Sequence, residues 1–226
     1  MRYLFLFVFS VFIGALIIIS YTFVISQYNF HSTKTSPSIQ PTKTPTTIKT
    51  IPFNAAQAPT EALQGQITTL SGQTDWQSRT ATQPAILTAP VAIQQGEAVD
   101  TLDNGKMEIQ FSTCCTINML ANSSLAFVQT LPVNLVINQT LGNVTYQKTG
   151  NVPLTVRTFH LLTKIEQGNV NIAIDPNRPV VAITVNSGSV QVAYNDLQYN
   201  SSVTQISAGN VFYFNDETRN TDTEPL

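Results

Sequence analysis

Between Leu4 and Ile25 the sequence runs for 22 residues without a charged side chain, and only Met1, Arg2 and Tyr3 precede that run. As an α-helix rising about 1.5 Å per residue it measures roughly 33 Å, the hydrocarbon thickness of a bilayer. Residues 1–26 are therefore expected to be a transmembrane anchor. Arg2 and the amino terminus favour the cytoplasm for the short side, which places the remainder outside. The other reading is a cleaved signal peptide ending near Val24-Ile25-Ser26, but the apolar core of such signals spans only roughly 7–15 residues. Both readings export the rest of the chain. The expected location is the cell membrane, single-pass with the C-terminal domain extracytoplasmic, or secretion after cleavage.

Residues 27–60 contain eight Thr, five Pro and three Ser and few large apolar side chains. They cannot bury enough surface to offset their ordering entropy, and the prolines keep them extended, so a linker is expected. The charge also divides along the chain. Residues 1–60 carry Arg2, Lys34, Lys43 and Lys49 and no acid, whereas residues 61–226 carry seven basic and thirteen acidic side chains. An acidic globular part excludes nucleic acid as a partner, because phosphate binding rests on clustered Lys and Arg.

From about Glu61 the pattern becomes short alternating runs of Val, Ile, Thr and Phe. Met107–Phe111, Leu154–Phe159 and Val190–Tyr194 alternate with period two, and Asp103-Asn104-Gly105, Lys148–Asn151, Asp175–Pro179 and Asn186-Ser187-Gly188 carry turn residues between the runs. About fourteen strands fit into residues 61–216, followed by a polar tail, 217–226. The fold class is all-β. A weak repeat of Gly followed by Ile or Val recurs at Gly65, Gly96, Gly142, Gly168, Gly188 and Gly209, the last three spaced by 20 and 21 residues. Such a period fits a rolled or solenoid-like domain, antiparallel or mixed, whose rungs turn at Gly. A β-sandwich whose hairpins start with Gly remains the alternative.

Several segments, taken in order, resemble the FecR domain, named after the ferric-citrate sensor of bacterial envelopes. Gly96-Glu97-Ala98-Val99-Asp100-Thr101 followed by Gly105–Phe111 is similar to that family's run of Gly-acid, apolar residue, Thr, turn and strand. Ile117–Leu125 resembles its next strand, closed by Asn-Ser-x-Leu. Val156-Arg157-Thr158, Gly168 with Val170, Gly188–Val192 and Ala208–Val211 follow the later pattern. The chain departs from the family at Ser112-Thr113-Cys114-Cys115, where Asp-Gly-Ser is usual, and at Gln167-Gly168-Asn169, where Arg-Gly-Thr often stands. Regulators of this family carry a cytoplasmic sigma-factor-binding segment ahead of the membrane helix, and three residues stand there in this sequence. The resemblance thus implies the external module without its signalling half.

No catalytic, cofactor-binding or metal-ligating residues are assigned, no cofactor is expected, and the chain is read as not an enzyme. His160, the sole histidine after residue 60, stands in Phe159-His160-Leu161-Leu162 without a neighbouring nucleophile and reads as a structural imidazole. Cys114 and Cys115 lack the paired intervals of zinc sites. As neighbours in a strand they point to opposite faces; packing thiols, a vicinal disulfide and intermolecular pairing stay open. Glu97, Asp100, Asp103 and Glu108 surround one hairpin and read as solvated positions, with a cation site or a glycan-cleaving carboxylate pair as the sharper alternative. Trp76, Phe111, Phe127, Tyr146, Phe159, Tyr194, Phe212 and Phe214 are expected in the core; Tyr194, Tyr199 and Tyr213 are the candidates for an exposed contact patch. The Asn122, Asn138, Asn143 and Asn200 sequons would matter in a eukaryotic secretory route; the resemblance implies bacteria, where they read as chance products of an Asn- and Thr-rich composition. The expected function is a non-catalytic, membrane-anchored extracytoplasmic module that binds an envelope protein or polysaccharide. The alternative is a regulatory or sensor subunit signalling through a membrane partner.

Overall fold

The computed structural model describes residues 60–226, so the expected anchor and all but the last residue of the expected linker lie outside the described residues. Among the described residues there is no α-helix, and no helix long and apolar enough to cross a membrane. Fifteen strands follow one another: β1 (Gly65–Ser71), β2 (Thr74–Gln77), β3 (Ala85–Ile86), β4 (Ala92–Ile93), β5 (Ala98–Thr101), β6 (Lys106–Phe111), β7 (Cys115–Met119) and β8 (Ser123–Leu131). After these come β9 (Asn134–Lys148), β10 (Leu154–Thr158), β11 (Leu161–Ile174), β12 (Val180–Asn195), β13 (Ser201–Ser207), β14 (Asn210–Asn215) and β15 (Thr221–Pro225).

All fifteen belong to one open, mixed sheet, and three long strands let it fold over on itself. The first half of β9 pairs with β8 and, in parallel, with β10; its second half pairs with β7 and β11. Likewise β12 pairs with β14 through Val180–Val185 and with β13 through Ser189–Asn195, antiparallel to β11 throughout. One layer therefore reads β4-β1-β6-β7-β9-β11-β12-β14-β15, and the other β3-β2-β5-β8-β9-β10-β11-β12-β13. The layers meet through their rings: Phe111 of β6 lies 5.7 Å from Phe127 of β8, and Tyr194 of β12 lies 5.3 Å from Phe214 of β14.

The bends explain the glycine repeat. Gly142, Gly168 and Gly188 sit mid-strand in β9, β11 and β12 with φ of 86°, 112° and 80°, and Gly209, with φ of 80°, separates β13 from β14. Left-handed backbone is cheap only for Gly. Gly168 and Gly188 are cross-strand partners, flanked by register shifts that leave one extra residue in each strand. These bulges sharpen the bend and reverse the phase of the alternation. In β11, Leu161, Thr163 and Ile165 are buried before the bend, and Val170, Ile172 and Ile174 after it. The 20–21-residue period thus marks matching bends in consecutive antiparallel strands, not rungs of a coil. It also corrects one expected turn: Asn186-Ser187-Gly188 lies inside β12, where Ser187 Oγ accepts from the Asn169 N–H at 3.0 Å. Thr221–Pro225, expected within a polar tail, adds the strand β15 to β14.

Candidate functional site

At the end of the layers where β10 turns into β11, β12 into β13 and β14 into β15, three connections meet around an open cleft of about 470 Å³. Arg157, Phe159, His160, Leu162, Asn195, Asp196, Leu197, Tyr199 and Arg219 line it. The first connection is a two-residue turn, Phe159-His160, between the paired Thr158 and Leu161. Phe159 has φ of 50°, where a turn this tight ordinarily uses Gly, Asn or Asp.

The second connection is organised by Asp196. Its Oδ1 accepts from the backbone N–H of Gln198 and Asn200, both at 2.8 Å, and its Oδ2 from Asn200 Nδ2 at 2.9 Å. Tyr199, with φ of 65°, is carried at the tip of this loop. In the third, Asn215 Oδ1 accepts from the N–H of Glu217 and of Thr218, both at 3.0 Å, and Arg219 takes φ of 61°.

Three of the four non-glycine residues with left-handed backbone among the described residues therefore line this one cleft. Each such conformation costs an L-residue about 1–2 kcal/mol. Strain of this kind persists where surrounding contacts enforce it, and it gathers at functional sites.

Asp216 supplies much of that enforcement. Its Oδ1 accepts from the His160 backbone N–H at 3.1 Å and from Arg219 Nη1 at 2.8 Å, and lies 3.0 Å from His160 Nδ1; its own N–H donates to Pro179 O at 2.6 Å. The Arg219 guanidinium also lies over the Phe214 ring, 5.9 Å from its centre. One carboxylate thus ties the first connection to the third, and β14 to both. The loops so held display apolar surface: Tyr199 is 86% exposed, Leu197 58%, Leu162 47% and Phe159 38%. Large apolar side chains that gather on the surface in this way mark sites of interaction.

The hydrogen bonds from the Asn200 side chain, then from its backbone, hold the Asp196 carboxyl below the usual carboxylate range. A folded value lowered in this way means that the loop's order is complete above the unfolded value and is lost as pH falls through the lowered one. Protection of the Gln198 and Asn200 amides against exchange, relative to their intrinsic rates at each pH, is accordingly expected to be high near neutrality and to fall in acid. In Asp196→Ala that pH step should disappear; an unchanged profile would contradict the role given to Asp196.

The other sequence candidates are placed as follows. His160, read as a structural imidazole, stands on an exposed turn, because the inward alternation ends at Thr158, and its ring is partnered by Asp216. Phe159 is displaced from the expected core for the same reason, whereas Phe111, Phe127, Tyr146, Phe212 and Phe214 are buried. Of the proposed tyrosine patch only Tyr199 is exposed, Tyr194 being packed against the core. Cys114 and Cys115 are free thiols and both are buried, not on opposite faces. The reason is that Cys114 belongs to the turn before β7, where its carbonyl accepts from the N–H of Gly150 at 2.8 Å and its Sγ donates to Val152 O at 3.6 Å. The hydrogen bond between the two thiols lowers the Cys114 pKa, and that same bond, together with burial, raises that of Cys115. The four acids separate. Glu97 Oε2 accepts from Trp76 Nε1 at 3.2 Å, Asp100 stands opposite Asp75, Asp103 lies in the exposed turn, and Glu108 Oε1 accepts from Thr68 Oγ1 at 2.6 Å on the other layer.

No protein-family profile matches the chain, and no curated protein matches it. The fold is similar to that of a candidate anti-sigma factor from Parabacteroides distasonis, solved as crystal structures at 2.50 and 1.65 Å. Both superpose with a TM-score of 0.50, at 13% and 12% identity, over 57% of this chain. The match spans 59% of that protein's length.

Proposed function

We infer that this chain is a non-catalytic, membrane-anchored extracytoplasmic module of FecR-like type, and that its β-domain binds an envelope protein or polysaccharide in the cleft formed by the three connections. The observation that carries this reading is the convergence of Phe159, Tyr199 and Arg219, each in left-handed backbone, around exposed Leu162 and Leu197. Unstrained loops would need no such enforcement, and a purely structural cleft has no use for an aromatic ring held out in solvent. A regulatory role is favoured as the context of binding, because the same fold occurs in a candidate anti-sigma factor. The apolar run from Leu4 to Ile25, with Arg2 and the amino terminus on its short side, supports the membrane-anchored, outward topology.

A photo-crosslinking residue in place of Tyr199, in the full chain in intact bacterial cells, tests both halves of the reading. Covalent adducts with an envelope protein or glycan are expected, and Leu197→Ala should reduce their yield roughly tenfold, as for a contact near the centre of an interface. Adducts confined to cytoplasmic proteins would overturn the topology, and the absence of any adduct would overturn the cleft as a binding site.

A further inference from the structure

An open sheet has edges, and natural proteins protect them with short strands, charge, proline or bulges. Three of the four edges here follow that rule. Each of β3 and β4 is two residues long, and β3 starts directly after Pro84 and β4 two residues after Pro90. The strand behind β4, β1, carries a bulge between Ile67 and Thr69. At the far side β15 presents Asp222, Glu224 and Pro225.

The fourth edge, β13, has none of these protections. Its seven residues, Ser201 to Ser207, include no charge, no proline and no glycine, and Val203, Thr204 and Ile206 favour the strand. Among the described residues it pairs with β12 and with no other strand. An apolar row also leads to this edge across the outer face, since Leu162 stands opposite Ala193 and Ala193 opposite Val203, which is 69% exposed. The strand begins two residues after Tyr199, so cleft and edge form one surface.

A second copy of the chain fits this edge poorly. The Tyr194 ring of β12 lies on Phe214 of β14, and its hydroxyl is 3.4 Å from Thr221 Oγ1 on β15; β13 and β14 each pair with β12, so β13 faces β14 and β15 lies one strand further out than the β13 edge. Continuing the β13 layer into a two-fold mate would bring β15 against its own copy, with Asp222 and Glu224 of each facing the other's, and like charges set opposite one another are destabilising. A lone strand added to β13 meets no such opposition.

We propose that β13 receives an extended, uncharged segment of a partner protein as an added strand, and that the cleft at the head of β13 holds one apolar side chain of that segment. This inference rests on the cleft being a binding site and narrows its occupant to a polypeptide. Main-chain pairing provides the attachment, and alternate side chains of the segment, spaced by two, lie beside Val203 and Gln205 on the outer face.

The test replaces Ser201, Val203 and Gln205 singly by a photo-crosslinking residue in the full chain, in intact cells, with Tyr199 as the cleft probe and exposed Val133 as the control. Trp76 fluorescence checks that each variant is folded. Adducts from the β13 positions are expected to be protein, to include the partner captured at residue 199, and to exceed those from residue 133 at least tenfold. Their sites on the partner should advance by two residues per step along β13, as only a paired strand would give. Adducts at 199 without adducts on β13 would overturn the added strand and leave the cleft reading standing, whereas adducts at neither would remove both. Polysaccharide adducts, adducts with a second copy, or sites on the partner without the two-residue step would each overturn the proposal.

Discussion

Gly188→Ala is expected to lose about 3 kcal/mol or more of folding stability, while Gly209→Ala loses about 1 kcal/mol. Both glycines have φ of 80° and both stand at the same set of bends. Their surroundings differ. A methyl group on Gly188 would overlap the carbonyl oxygen of Gln167 and the Cα of Gly168, backbone atoms that belong to the bulge of the neighbouring strand and cannot move aside as a flexible side chain does. A methyl group on Gly209 meets nothing within 4 Å, so only the conformational cost remains. Against a typical total of about 5–15 kcal/mol, the first substitution endangers folding and the second does not. Urea titration followed by the single Trp76 measures both. Equal losses would show that conformation alone, not the close approach of two bent strands, requires glycine at the bends.

These same glycines mark how far the sequence could be read. Local alternation located β6, β10 and the second half of β12 because one face of each strand packs inward, a pattern that period two records directly. Aspartate, asparagine, glycine and proline located the turns expected at Asp103–Gly105, Lys148–Asn151 and Asp175–Pro179 for an equally local reason, although Lys148 itself closes β9. The Gly168 and Gly188 pair carried a signal of another kind. A reversal in phase of the buried positions accompanies each glycine, from odd to even numbers in both β11 and β12. That reversal was legible, but its meaning depends on two strands bending together, which no single segment expresses.

The cleft was less accessible still. Its walls come from residues 157–162, 195–199 and 219, brought together only by the pairing of β10 through β15. Its backbone strain has no compositional mark, since Phe, Tyr and Arg are ordinary residues whose left-handed φ appears only once Asp196, Asn215 and Asp216 have fixed the loops. A faint trace was present: an Asp or Asn stands ahead of two of these connections, as side chains that bond to nearby backbone N–H groups do. Phe159 misled because aromatic size predicts burial on average, whereas the parity of Leu154, Val156 and Thr158 assigned it to the opposite face.

The second large effect concerns Gln139, a wholly buried amide that joins the two layers. Its Nε2 donates to Ile172 O at 3.0 Å and to Gly142 O at 3.1 Å, and its Oε1 accepts from Tyr146 Oη at 3.0 Å. The amide thereby fastens the half of β9 before the bend to the half after it and to β11. Gln139→Leu preserves the volume but strands the wholly buried Tyr146 hydroxyl without its acceptor, and is expected to cost about 3 kcal/mol. Tyr146→Phe alone should cost about 1 kcal/mol, because the amide retains its two donor bonds. In the double variant the stranded hydroxyl is gone, so the combined loss should fall short of the sum by about 1 kcal/mol or more, the coupling being read from urea midpoints of the four proteins. If the losses simply add, the hydroxyl and the amide act independently, and the bend of β9 is held by the Ser123 Oγ bond to the Asn143 N–H, 3.0 Å away, without help from the core. If they couple as expected, β9 is clamped from its buried side. The same interaction that sets the two layers face to face then fixes where β10 and β11 end, and with them the first wall of the cleft.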